Sequence, residues 1–179
     1  GEEEEVALFT STTRTSCAMI WSDASSTPMI NAAKMLDIEF IDCPSSLIDQ
    51  APIAKLLERA IEESAFEAPD APQVAIKYMT DSEIQNLNNN FRNKDKPTNV
   101  LSFPNDEGSY LGDIAISGET ILREAQEQDK PDKDHATHMI LHGFLHLLGY
   151  DHIEDDDAEE MEELEVRLLH EFGIKNPYL

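Results

Sequence analysis

One stretch limits this chain more than any other: His142-Gly-Phe-Leu-His146-Leu-Leu-Gly149-Tyr-Asp-His152. His142 and His146 stand four residues apart, so on a helix they project from one face, one turn from each other. Two imidazoles so placed reach a single metal ion, at Zn–N distances of about 2.0–2.1 Å. Gly149 ends such a helix, because a residue without Cβ takes positive φ and lets the backbone turn back sharply. His152, three residues later, then closes a three-histidine site from the loop. Three protein ligands leave a fourth position for water, which is the arrangement of catalytic rather than structural zinc. A lone histidine on a helix is usually an ordinary surface or core residue. The combination of an i,i+4 pair, a helix-ending glycine and a third histidine within reach is what argues for a metal.

The neighbouring histidines carry less. His138 extends the same stripe by one more turn, but successive i+4 steps drift around the helix. It is therefore expected to line or support the site rather than join it, while His135 and His170 are expected to be ordinary. The spacing H-x-x-x-H-x-x-G-x-x-H is also that of metzincin proteases. In that class a Glu follows the first histidine and serves as general base, whereas this chain has Gly143. A metzincin-like protease would lack its base here.

The metal stretch sits late in a chain whose strands come early. Asp37–Cys43 alternates as a strand, and a helix with a stripe of Ile53, Leu56, Leu57, Ala60 and Ile61 begins near Pro52. Gln73–Met79 reads as a second strand. Thr80-Asp-Ser-Glu83 forms a capping box for a helix from Asp81 to about Asn88, where three asparagines are expected to end it. Val100–Phe103 and Leu111–Ser117 are expected to pair across the turn Asp106-Glu-Gly-Ser109. Helices follow from Gly118 to about Gln128, over His135–Leu148, and from about Asp157 to Phe172, closed by Gly173. This order predicts a single α+β domain over 37–179, with a small mixed sheet packed with helices and the zinc site at the C-terminal end of a long helix. Residues 1–36 differ: an acidic run is followed by a Ser/Thr-rich segment without clear period. They are expected to be a flexible or appended N-terminal tail. An organellar transit remnant would need more arginine than the lone Arg14.

Composition removes several functions. Thirteen Lys and Arg against 37 Asp and Glu give a net charge of −24, the wrong sign for a generic electrostatic nucleic-acid binder or for an anionic membrane surface. Any polyanion must be met by a local positive site, and a metal can supply one. No apolar run approaches the ~18 residues of a membrane span. Cys17 and Cys43 form no disulfide framework or zinc spacing, which favours a reducing compartment and a cytoplasmic location.

Three segments together resemble the YbeY family of rRNA maturation factors, described as zinc-dependent endoribonucleases. They are the histidine stretch itself, Phe91-Arg-Asn-Lys-Asp-Lys-Pro-Thr-Asn-Val-Leu-Ser-Phe-Pro104 and Leu111-Gly-Asp-Ile-Ala-Ile116. The resemblance covers about Asp37 to Asn176. It implies one zinc per chain held by His142, His146 and His152, a catalytic role for Arg92, and a zinc helix packed on a small sheet. It also implies rRNA precursor as substrate and the ribosomal subunit or its proteins as partners, with no membrane.

The remaining residues support this in part. Arg92, Lys94 and Lys96 surround Asp95, and a guanidinium beside a metal can clamp phosphate and stabilise transition-state charge. The same run also suits a solvated loop. Asp113 and Asp151 are each either an acid orienting a histidine or a turn residue. The eight acids of Glu154–Glu163 suit an exposed helix start, which the helix dipole favours. A second reading of the whole stays open: a ribosome-assembly binding protein whose zinc pocket turns over little.

Overall fold

A computed structural model describes residues 35–152 and 155–179; the expected tail over 1–36 lies almost wholly outside the described residues. The elements run β1 (Asp37–Ile41), α1 (Gln50–Glu63), β2 (Gln73–Met79), α2 (Asp81–Arg92), β3 (Val100–Pro104), β4 (Tyr110–Ser117), α3 (Gly118–Glu127), α4 (Asp132–Leu147) and α5 (Asp155–Glu171). The strands form one mixed sheet in the order β1-β2-β4-β3. β1 and β4 both run parallel to β2, and β3 pairs antiparallel with β4 across the expected turn. The chain is thus α+β, as its pattern predicts. No helix among the described residues is long and apolar enough to cross a membrane.

Side chains alternate between the two faces of a strand, and the sheet uses both. One face carries Ile38, Val74, Ile76, Val100, Ile114 and Ile116 into the main core, against α1, α3, α4 and α5. The other face carries Met79, Leu101, Phe103 and Ala115, which pack with Ile84 and Leu87 of α2. α4 is central to the first layer, with Ile140, Leu141, Phe144 and Leu145 fully buried. Its histidine-bearing end is thereby anchored to a rigid core.

α2 differs from expectation at its end. The three asparagines do not stop it, because Asn88 turns inward and its side-chain amide donates to the Lys96 carbonyl at 2.8 Å. The helix runs on to Arg92 and is closed by Asn93 in the left-handed conformation (φ 54°). Arg92 therefore belongs to the last helical turn, where a cation favours the helix dipole, and not to the loop in which the sequence places it. The start of α2 is as expected: Thr80 and Glu83 form both bonds of the capping box.

Asp81 ties the starts of α2 and α3 together. Its carboxylate accepts from Ser117 Oγ (2.5 Å) and Thr120 Oγ1 (2.6 Å) and pairs with Arg123. Partial burial opposes ionisation, but these donors outweigh it and hold the carboxyl below its ordinary value of 3.8. A lowered pKa contributes stability that is present above the unfolded value and lost as pH falls through the folded one. Asp81→Ala is therefore expected to cost about 1–3 kcal/mol at neutral pH. The difference from wild type should shrink as unfolding is measured at successively lower pH, below about 4.

Candidate metal centre

The C-terminal end of α4 builds the site through its own termination. Leu148 caps the helix and Gly149 follows with φ 94°. The Gly149 N–H donates to the His146 carbonyl (3.1 Å) and the Tyr150 N–H to the Leu145 carbonyl (3.0 Å), the two bonds of a Schellman motif. This reversal returns His152 to the helix face that bears His142 and His146. One ligand atom from each of the three lies within 4.8 Å of the others. The ring centroid of His152 is 4.9 Å from that of His146 and 5.5 Å from that of His142.

The same turn orients a ligand. Its Tyr150 carbonyl lies 2.9 Å from His146 Nδ1, so the proton sits on Nδ1 and Nε2 keeps its lone pair. Burial, and then the neighbouring His142, lower the pKa of His146 and favour the neutral ring that metal binding requires. His142 is turned likewise: its Nδ1 lies 2.8 Å from a Glu165 carboxylate oxygen, leaving Nε2 as the free acceptor. The two Nε2 atoms face each other at 3.1 Å. Two lone pairs at that separation repel unless a proton or a cation lies between them. The spacing is close to the edge of a tetrahedron with Zn–N bonds of 2.0–2.1 Å, about 3.3 Å. The donor set thus fits a zinc ion, with His152 as third ligand.

Glu165 is the functional residue that sequence reasoning missed. It is fully buried in α5, and its carboxylate meets His142, His138 Nε2 at 3.4 Å and the Tyr178 hydroxyl. Burial opposes its ionisation, but the hydrogen bonds from His138 and His142 prevail and hold the carboxyl at about 2. A signal existed. Met161, Leu164, Glu165, Leu168 and Leu169 follow the i, i+3, i+4, i+7, i+8 stripe of an inward face, and one of the five is an acid. His138 supports the site, as expected, through Glu165 and an edge contact with Tyr178. His135 is less ordinary than expected: it is buried and 2.9 Å from Glu124. His170 is exposed in the last turn of α5.

The two aspartates resolve differently. Asp151 accepts from the backbone N–H of His152 at 2.7 Å, which is a turn role that shapes the ligand loop. Asp113 is buried on β4 in register with Phe103, on the sheet face opposite α4, and its carboxylate accepts from the Tyr110 hydroxyl. The histidines of α4 take Glu124, Glu165 and the Tyr150 carbonyl as their partners. Arg92 is exposed at the end of α2, which packs on that same opposite face, and makes no hydrogen bond or ion pair among the described residues. The structure brings the three histidines together and leaves Arg92 on a separate element. The acidic run behaves as expected of a helix start, with Asp156, Asp157, Glu159, Glu160, Glu162 and Glu163 exposed; residues 153 and 154 lie outside the described residues.

Gly143 explains why no protease base can stand beside His142. A Cβ there would meet Val100 Cγ2 at 2.9 Å, Ser102 Oγ at 3.0 Å and Ile114 Cγ2 at 3.1 Å. Its carbonyl accepts from Ser102 Oγ at 2.8 Å, which locks α4 onto β3. The position faces the sheet and not the site. Gly143→Ala is expected to destabilise the fold by about 1–3 kcal/mol through overpacking, despite alanine's better helix propensity. Denaturant unfolding of the variant checks this; a gain in stability would mean that β3 yields readily.

The comparisons place the chain in a family. A family model described as Endoribonuclease YbeY matches residues 41–173. The Endoribonuclease YbeY of Sinorhizobium fredii is 51% identical over 116 residues, covering 61% of this chain and 67% of its own. That of Allorhizobium ampelinum is 43% identical over 160 residues, covering 81% of this chain and 96% of its own. The solution structure of TM1509 from Thermotoga maritima shares the fold, with a TM-score of 0.55 and 29% identity over 76% of this chain and 88% of that one. With the match running from the end of β1 through α4, the ligand turn and α5, the chain belongs to the YbeY family.

Proposed function

We propose that this chain is a zinc-dependent endoribonuclease that hydrolyses phosphodiester bonds of single-stranded RNA. Its place is rRNA maturation in the cytoplasm, with the ribosomal subunit or its proteins as partners. The observation that carries the reading is the pair of Nε2 atoms facing each other at 3.1 Å, with His152 beside them. Relatives bearing the name endoribonuclease supply the substrate class. Zinc, when bound, supplies Lewis-acid stabilisation of a phosphoryl oxygen and activation of water.

The chain's own residues divide the remaining work. His142, His146 and His152 hold the metal as neutral ligands, and Tyr150 and Glu165 fix two of those rings from behind. Glu165 meets the Nδ1 side of His142, away from Nε2, and is enclosed by its three donors. It is therefore no general base for water at the metal. Arg92 is the phosphate clamp, able to form paired charge-assisted bonds that strengthen as charge builds in the transition state. A body carrying −24 repels RNA at long range, so attraction is local to zinc and to Arg92, Lys94 and Lys96.

The experiment is cleavage of a labelled single-stranded RNA by the purified chain, beside a duplex of the same sequence. Cleavage of the single strand that is lost in His146→Ala supports the nuclease. RNA bound but uncut, with a full complement of zinc, would favour the assembly-protein reading instead.

A further inference from the structure

We propose that Glu165 is the positioning residue of the metal centre, locking His142 in the tautomer that presents Nε2, and that Tyr178 in turn holds Glu165. The proposal rests on the metal reading above and adds to it the device behind the ligands. Among the described residues α5 contributes no ligand, yet its Glu165 carboxylate is buried in the core and meets a ligand ring at 2.8 Å. A buried carboxylate without donors would be strongly disfavoured. Here His142, His138 and the Tyr178 hydroxyl all reach it. Because an ionised carboxylate only accepts, each of these groups must donate, and His142 must carry its proton on Nδ1.

This donation has two consequences for a metal. It fixes the ring plane so that Nε2 points at its counterpart on His146, and it raises the basicity of Nε2. His146 obtains its orientation from a neutral carbonyl, that of Tyr150. The two helix ligands are therefore unequal, and His142 is the one whose strength depends on a charge. Tyr178, in the segment after α5, packs its ring edge-on against His138 with centroids 5.6 Å apart. Its hydroxyl donates to the same carboxylate oxygen that meets His138.

The test uses the full chain as wild type, Glu165→Gln, Glu165→Ala and Tyr178→Phe. Two quantities are read: the His142 tautomer in metal-free protein, from side-chain 15N shifts, and zinc affinity, by competition with a chromogenic chelator. Wild type is expected to show a single Nδ1–H form. Glu165→Ala should weaken zinc about 10- to 100-fold and mix the tautomers. Glu165→Gln, which keeps volume and one acceptor, should fall between, and Tyr178→Phe should lose least. Because Glu165→Gln is isosteric, it remains informative if the alanine variant fails to fold. A merely structural Glu165 would lower the melting temperature while leaving the tautomer and zinc affinity of Glu165→Gln unchanged, and that result overturns the proposal. Wild type that holds the Nδ1–H form yet takes up no zinc would instead overturn the metal reading and leave the locking of the ring standing.

Discussion

Elemental analysis is expected to find about one zinc in each wild-type chain and less than ~0.1 in the His142→Ala/His146→Ala double variant, since one histidine alone does not make a zinc site. The expectation follows from geometry. The two rings share one helix face, each has its Nδ1 proton committed elsewhere, and their free nitrogens meet at 3.1 Å. The two single variants should differ in stability. His146→Ala gives up a bond to the Tyr150 carbonyl and ring contacts with His142 and His152, but strips no donor from a buried carboxylate, so its metal-free fold should be close to wild type. His142→Ala strips a donor from buried Glu165 and should cost a further 1–3 kcal/mol, roughly the penalty of an under-satisfied buried group. Equal zinc in wild type and double variant would remove the site altogether.

Arg92→Ala is expected to keep zinc and fold but to lose about 30- to 1,000-fold in RNA cleavage. That corresponds to about 2–4 kcal/mol, the scale of one preorganised donor to transition-state charge. Zinc should be retained because Arg92 ends α2, a separate element from the ligands, and makes no hydrogen bond or ion pair among the described residues. The fold should be retained because the side chain is exposed at a helix end. Arg92→Lys should recover only part of the activity, since an ammonium lacks the planar fork that grips two phosphate oxygens. Single-turnover cleavage of all three proteins, at matched zinc content, measures the effect. Unchanged turnover in Arg92→Ala would reduce this residue to a charge that complements the end of α2.

The histidine motif was legible in sequence because its information is local. An i,i+4 pair, a glycine at the helix end and a histidine three residues on are sufficient to imply a helix terminus and to bring three candidate ligands together. The structure adds that the Schellman turn does two things, delivering His152 and presenting the carbonyl that orients His146. Strand and helix order were legible through alternation and capping, as at Thr80 and Glu83. What escaped was set by long-range packing. Asn88 resembles a helix breaker until its amide is seen to reach the Lys96 carbonyl from inside the fold. Asp113 has the composition of a supporting acid, but the strand's period of two turns it to the far face. Glu165 lies 23 residues beyond His142, in a stretch so rich in acids that one inward-facing member is lost among its neighbours. Tyr178 carried no sequence signal at all.

RNA cleavage by this chain is expected to depend on a metal held by His142, His146 and His152. The most direct measurement removes metal from the purified chain with a chelator, then follows the cleavage rate as zinc is titrated back. The rate should be near zero without metal, rise linearly, and break at about one zinc per chain, the capacity of a single three-histidine site. Full cleavage by the metal-free chain, undiminished in His146→Ala, would contradict it.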